Sequence, residues 1–126
     1  MLEHTIEIRV RYQETDGQGR LHHANFFTYF EQARVELMRS LGKSYRDLEA
    51  AGYLLVVSEI SCRYVGAATF DDVLQVTTRA VEAKGARIIH EYEVRRADKL
   101  IAEGRSTVAC IGKDGRVTRL PEFLLR

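Results

Sequence analysis

Residues 12–27 read Tyr12-Gln13-Glu14-Thr15-Asp16-Gly17-Gln18-Gly19-Arg20-Leu21-His22-His23-Ala24-Asn25-Phe26-Phe27, and residues 28–41 continue Thr28-Tyr29-Phe30-Glu31-Gln32-Ala33-Arg34-Val35-Glu36-Leu37-Met38-Arg39-Ser40-Leu41. The two halves of this stretch obey different rules. From Ala24 to Leu41, Phe26, Phe27, Phe30, Ala33, Leu37, Met38 and Leu41 recur at three- and four-residue spacing, the period of an α-helix. Asn25 or a neighbour can cap its start, and Gly42 can serve at its end. An apolar face carrying three phenylalanines is broad, so the helix is expected to be buried along much of its circumference. The preceding segment, Gln13 to His23, has two glycines and no period, and reads as a polar loop.

Upstream, residues 5–12 alternate: Ile6, Ile8, Val10 and Tyr12 on one face, Thr5, Glu7, Arg9 and Arg11 on the other. That is the pattern of a half-buried strand. Downstream, Ser44 with Asp47 three residues on opens a short second helix that Gly52 closes. The remainder reads as β: Tyr53 to Val65, Val73 to Ala83, a turn at Lys84-Gly85, Ala86 to Ala97, and Leu100 to Ile111. Lys113-Asp114-Gly115 is a hairpin signal, followed by a last strand from Arg116 to Leu120. Consecutive strands joined by short turns imply an antiparallel sheet with the helices on one face, an α+β fold. A single such sheet, curled around one helix, leaves an edge and a face uncovered. Two copies joined edge to edge would cover them.

The chain has 126 residues, 45% hydrophobic and 29% charged, which suits one folded domain over 1–126 and excludes a disordered chain or a disulfide scaffold. A net charge of +1 supplies no global field for nucleic acid or membrane surfaces. Cys62 and Cys110 lie in apolar runs without metal or redox spacing, and read as buried free thiols of a reducing compartment. The first ten residues lack the apolar stretch of a signal peptide and no run approaches a membrane span, so a cytoplasmic protein is expected.

The chemistry concentrates in the loop before the long helix. Asp16, His22, His23 and Asn25 precede or open a helix N-terminus, where unpaired N–H groups and the positive dipole end suit an oxyanion. A carboxylate held beside it can serve as base or nucleophile. The competing local reading is that Asp16 and Asn25 shape a turn and a cap.

The string Tyr12-x-Glu14-Thr15-Asp16-x-x-Gly19-x-x-x-His23-x-Asn25-Phe26, followed by Phe30-Glu31-x-Ala33-Arg34, resembles the signature of hotdog-fold thioesterases. The similarity is to the branch of 4-hydroxybenzoyl-CoA thioesterase and the YbgC/FadM-type acyl-CoA thioesterases. The looser stretches Ser58 to Tyr64, Ala68 to Asp72 and Gly115 to Pro121 also match. The resemblance implies a curved antiparallel sheet around one long helix, assembled as a homodimer or homotetramer. It implies hydrolysis of acyl- or aroyl-CoA without a metal or separate cofactor, coenzyme A being part of the substrate. Asp16 would be the catalytic carboxylate, as base or nucleophile, and the His23 N–H would hold the thioester oxygen. Asn25 would orient the loop, and the His22 side chain is read as an exposed loop residue. Phe26 and Phe30 are core first and acyl-pocket lining second. Gln18 and Arg20 stand where many relatives carry an acidic or aromatic residue, so acyl preference is not read from this loop.

Two other carboxylates compete for a role. Glu31 lies on the helix, where another hotdog branch places its nucleophile; an ion pair with Arg34 is the preferred reading. Glu59 would line the site from a partner chain or, as preferred, hold a structural partner, with Arg63 four residues on. The phosphates of coenzyme A need local cations; Lys84 and Arg87 are the candidates, with Arg63, Arg95 and Arg96 behind them. A hydratase or dehydratase on the same fold, and a non-catalytic acyl-CoA sensor, are the alternative functions. Sensors of this fold carry a separate DNA-binding segment, and here the first strand is expected from residue 5.

Overall fold

In a computed structural model, which describes residues 2–125, the apolar stripe of residues 24–41 forms helix α1 (Asn25–Ser40). Phe26, Tyr29, Phe30, Ala33, Arg34, Leu37 and Met38 are buried. Thr28, Glu31, Gln32 and Arg39 are exposed, so α1 keeps one solvent face and is less enclosed than its phenylalanines suggest. Asn25 is not the cap. Ala24 occupies that position, and its N–H donates to His22 Nδ1 at 3.0 Å. At the other end Gly42 takes φ +77°, and its N–H closes on the Arg39 carbonyl at 2.9 Å. Helix α2 (Tyr45–Ala50) follows, with the Ser44 hydroxyl accepting the Asp47 N–H.

Five strands form one antiparallel sheet: β1 (Leu2–Arg9), β2 (Tyr53–Tyr64), β3 (Val73–Lys84), β4 (Arg87–Arg96) and β5 (Lys99–Gly112), in the order β1-β3-β4-β5-β2. Alternate residues of the central strands point inward and are buried: Leu74, Val76 and Thr78 on β3, Ile88, His90, Tyr92 and Val94 on β4, Ser106, Val108 and Cys110 on β5. Bulges interrupt the ladders at Val57/Glu59, Ala80/Glu82 and Val94/Arg95, and each bends its strand.

The helix seats on this sheet through Phe30. Its ring stacks on Tyr92, centroids 4.3 Å apart and planes within 9°. It also covers Gly104, where a Cβ would lie 2.4 Å from Phe30 Cε2. Any side chain at position 104 would therefore push the helix off the sheet. One core cluster lies under the first half of α1, around Val10, Leu21, Phe26, Phe30 and Leu74. A second lies under its last turns, where Met38 meets Leu48, Ile88, Cys110, Leu120 and Leu124.

Four expectations change. The first strand begins earlier and stops at Arg9; Tyr12 opens a 3-10 turn, stands 77% exposed and packs edge-on to Phe70. The cause is that Val10 leaves the ladder to bond Asp72, so the alternation does not carry to Tyr12. The strands are not all joined as hairpins, because β2 pairs only with β5 at one edge and residues 65–72 carry the chain across to β3. Arg116 to Leu120 makes a single bridge, Val117 to Ile111, instead of a strand. There the Leu120 N–H bonds the Gly85 carbonyl at 2.9 Å, which draws the tail across the β3–β4 turn and buries Leu120 and Leu124. Finally, Cys110 is buried, but Cys62 is only half-buried; both are free thiols.

Candidate active site

The loop between β1 and α1 is built around a buried carboxylate to which sequence inspection assigned no role. Glu14 is 4% exposed. Its Oε1 accepts the Arg11 N–H at 2.8 Å and the Tyr29 hydroxyl at 2.6 Å; its Oε2 accepts the Arg11 Nε–H at 3.1 Å. Burial works to raise the Glu14 pKa, but the Tyr29 hydroxyl and the Arg11 N–H and guanidinium outweigh it, and the carboxyl is held below its usual range. The same environment pushes the Tyr29 phenol above its ordinary value, burial first, then its hydrogen bond to Glu14 and the Glu14 charge. Since Tyr29 sits on α1, this contact ties the loop to the helix.

From that anchor the chain folds back on itself. The His22 N–H donates to the Glu14 carbonyl at 2.8 Å, and Thr15 bridges Leu21. The Asn25 amide donates to the same Glu14 carbonyl at 3.1 Å, from the first residue of α1. Asp16 forms the tip: its Oδ1 accepts the Gln18 N–H at 2.9 Å and the Arg20 N–H at 3.2 Å. Gly19, at φ +79°, supplies the left-handed residue that this reversal requires. Those two backbone bonds, the Gln18 N–H foremost, hold the Asp16 carboxyl below its usual range. Asp16 is therefore ionised at neutral pH. Among the described residues no hydrogen bond engages its Oδ2.

His22 is half-buried, not an exposed loop residue, and its Nδ1 accepts the Ala24 N–H. That bond leaves the other ring nitrogen to carry the proton. The His22 and His23 rings stack at 4.2 Å. Among the described residues the His23 N–H has no acceptor, while its carbonyl accepts the Tyr64 hydroxyl at 2.9 Å. Tyr64 lies on β2, so the helix start is pinned from the sheet edge. An unengaged N–H before the first turn of a helix can receive a developing oxyanion, and an unengaged carboxylate oxygen in the same loop can act on the adjacent carbon.

The remaining candidates lie elsewhere. Phe26 is 2% exposed and packs edge-on to Tyr64, as part of the core. Glu31 is exposed on α1 and does not pair with Arg34, which is buried and donates to the Tyr92 hydroxyl at 2.9 Å. The sheet draws Arg34 inward, out of reach of a surface partner. Glu59 is exposed on β2; Arg63 pairs with Glu103 across the β2–β5 ladder instead. Lys84 and Arg87 are exposed at the β3–β4 turn. The Asp16 loop adjoins the other end of β3, because Arg9 pairs with Val73. The length of β3, about 36 Å at 3.3 Å per residue, separates them within one chain. Arg96 is engaged locally with Asp72 and the Ala67 carbonyl. Glu14, Tyr29 and Tyr64 are the residues that sequence inspection missed. For Glu14 the available signal was its place in the motif, and for Tyr29 a hydroxyl on the phenylalanine-rich face of the helix.

Residues 10–126 match the model of the thioesterase-like superfamily. The chain is 35% identical to an acyl-CoA thioesterase YbgC of Haemophilus influenzae over 85% of this chain and 79% of that one. It superposes on the crystal structure of a hypothetical protein, TT1821, from Thermus thermophilus with a TM-score of 0.91 at 34% identity, covering 95% of this chain and 92% of that one. A DHNA-CoA thioesterase from Staphylococcus aureus gives a TM-score of 0.91 at 30% identity, over 95% and 82% of the two chains. Among the described residues no helix is long and apolar enough to cross a membrane.

The Glu14 anchor has a measurable consequence. Because its folded pKa lies below 4.5, its contribution is present above that pH and is lost as pH falls through the folded value. Glu14→Gln should lower stability at neutral pH by about 1–3 kcal/mol, the range for a hydrogen-bonded charge. Urea unfolding should show the gap between wild type and variant closing as pH drops below 4.5. A gap that is constant with pH would remove the charge from the account.

Proposed function

The chain belongs to the thioesterase-like superfamily and has its hotdog architecture, and from that premise we propose that it hydrolyses acyl- or aroyl-CoA thioesters, with Asp16 as the catalytic carboxylate. The observation that carries the reading is the pairing, in one loop, of an ionised Asp16 with an unengaged oxygen and an unengaged His23 N–H at the start of α1. The thioester oxygen takes the His23 N–H, which stabilises the charge that develops as the carbonyl carbon becomes tetrahedral. Asp16 either draws a proton from the attacking water or bonds the carbon itself, to be released by water. Either route adds water across the C–S bond and gives the free acid and the coenzyme A thiol. Coenzyme A belongs to the substrate, and neither step calls for a separate cofactor or metal. Asn25 and Glu14 position the loop and do not touch the reacting atoms. Glu31 has no part in the chemistry.

A second copy of the chain completes the proposal. Strand β2 is an edge strand with Leu54, Val57 and Tyr64 each more than 40% exposed. Such an edge invites pairing with its own copy. In an antiparallel β2–β2 pair, the Tyr64 end of one copy lies beside the Tyr53 end of the other. Tyr64 bonds the loop at His23, and Tyr53 pairs with Gly112 toward the β3–β4 turn. The pairing thus brings the Asp16 loop of one copy toward the Lys84 and Arg87 turn of the other. Those cations would then serve the coenzyme A phosphates, which no single chain's geometry allows.

Asp16→Asn should lower single-turnover hydrolysis of an acyl-CoA by about 10²–10⁴-fold, the cost of losing a base, with substrate binding retained. Glu31→Gln should keep near wild-type turnover. The reverse pattern, with both variants folded, would move the chemistry to the helix glutamate. Light scattering should give a mass of two or four chains, and Val57→Glu should reduce both mass and activity. A fully active monomer would refute the shared site.

A further inference from the structure

A cavity of about 430 Å³ lies between the last turns of α1, α2 and the concave face of the sheet. This is within the ~300–1,000 Å³ of small-molecule sites. Arg34, on its wall, is nine residues past the start of α1, about 13 Å along the axis, so within one chain the cavity is separate from the Asp16 loop. Its walls are mostly apolar, with Leu37, Met38, Leu55, Ile88 and Leu124 prominent.

Two buried polar side chains line these walls. Arg34 is 7% exposed and donates to the Tyr92 hydroxyl at 2.9 Å; that hydroxyl lies 2.6 Å from Ser106 Oγ. A guanidinium has only donors, so the Tyr92 oxygen accepts from Arg34 and its hydrogen is left for Ser106. Among the described residues Arg34 forms no ion pair. His90, opposite Ser106 in the ladder, is 5% exposed, and its Nδ1 has no hydrogen-bond partner. Burial, and then the Arg34 charge, push the His90 pKa down to about 3, so its imidazole is neutral. The other titratable groups on the wall are Tyr45, a neutral phenol whose pKa burial raises, and Glu82, which is exposed.

A buried cation without a counter-ion is costly. One occupant relieves it: a planar monoanion that meets the guanidinium fork, carrying an apolar body for the walls. We propose that this cavity binds a free carboxylate with an apolar chain, a medium-chain fatty acid, its carboxylate on Arg34 and its chain against Leu37, Met38, Leu55 and Leu124. The site stands whether or not Asp16 hydrolyses thioesters.

Titration calorimetry on the full chain with decanoate, decanol and decylammonium tests it. Decanoate should bind at one site per chain, decanol at least tenfold more weakly, and decylammonium not at all. Arg34→Gln keeps a donor for Tyr92 without the charge and should weaken decanoate tenfold or more; Ala83→Phe should fill the cavity and abolish binding. If either variant fails to fold, ¹⁵N spectra of the wild-type histidine rings decide: decanoate must shift the His90 signals. Failure of decanoate to bind, equal binding of decanol, undiminished binding in the folded variants, or an unmoved His90 signal would overturn the proposal.

Discussion

The stacking of Phe30 on Tyr92 above Gly104 is the contact on which the rest of the molecule depends. It sets how closely α1 approaches the sheet, and a close approach is possible because position 104 has no side chain. With the helix seated there, Phe26 and Tyr29 reach the first core cluster and Met38 reaches the second. The start of α1 is then fixed relative to β1 and β2, and the loop between β1 and α1 has little freedom left. An aromatic ring of this size removes a large apolar area from water, which makes the seat an energetic anchor as well as a geometric one.

The loop shares that rigidity. Glu14 couples it to α1 through Tyr29 and to its own start through Arg11. Asn25 and His22 converge on the Glu14 carbonyl from the helix side. Asp16 is consequently not a mobile surface acid: two backbone N–H groups grip one oxygen and leave the other available. The same bonds keep it charged. In the proposed hydrolysis, a preorganised anion in the same loop as a fixed N–H donor would need little rearrangement when a thioester carbonyl arrives.

How far the sequence can be read depends on whether a residue's environment is local. The long helix, the short helix, five strands and the Asp16 loop were legible because each is written in a period or in turn residues. The edge position of β2 was not, since strand order depends on which ladder forms after the helices have packed. The tail from Arg116 to Leu120 has strand composition, but its last N–H is claimed by Gly85, far back in the chain. Arg34 has an acidic neighbour one turn away, and local spacing favours a surface pair. The buried Tyr92–Ser106 hydroxyls instead draw it inside. Glu14 stood in the motif without a role, because its partner Tyr29 lies fifteen residues on. The catalytic role proposed for the loop came from resemblance; its local physics alone allowed a simple turn and cap.

The central claim is that an ionised Asp16, not a histidine, supports hydrolysis. The most direct measurement is kcat/KM for an acyl-CoA as a function of pH, which reports essential groups of the free enzyme. The Asp16 carboxyl is held below its ordinary 3.8, so the rate should stay level from about pH 8 down to about pH 5, where an ordinary carboxylate would only begin to protonate. A fall centred near about 6.5, the ordinary value for histidine, would instead assign the essential group to His22 or His23 and contradict the account.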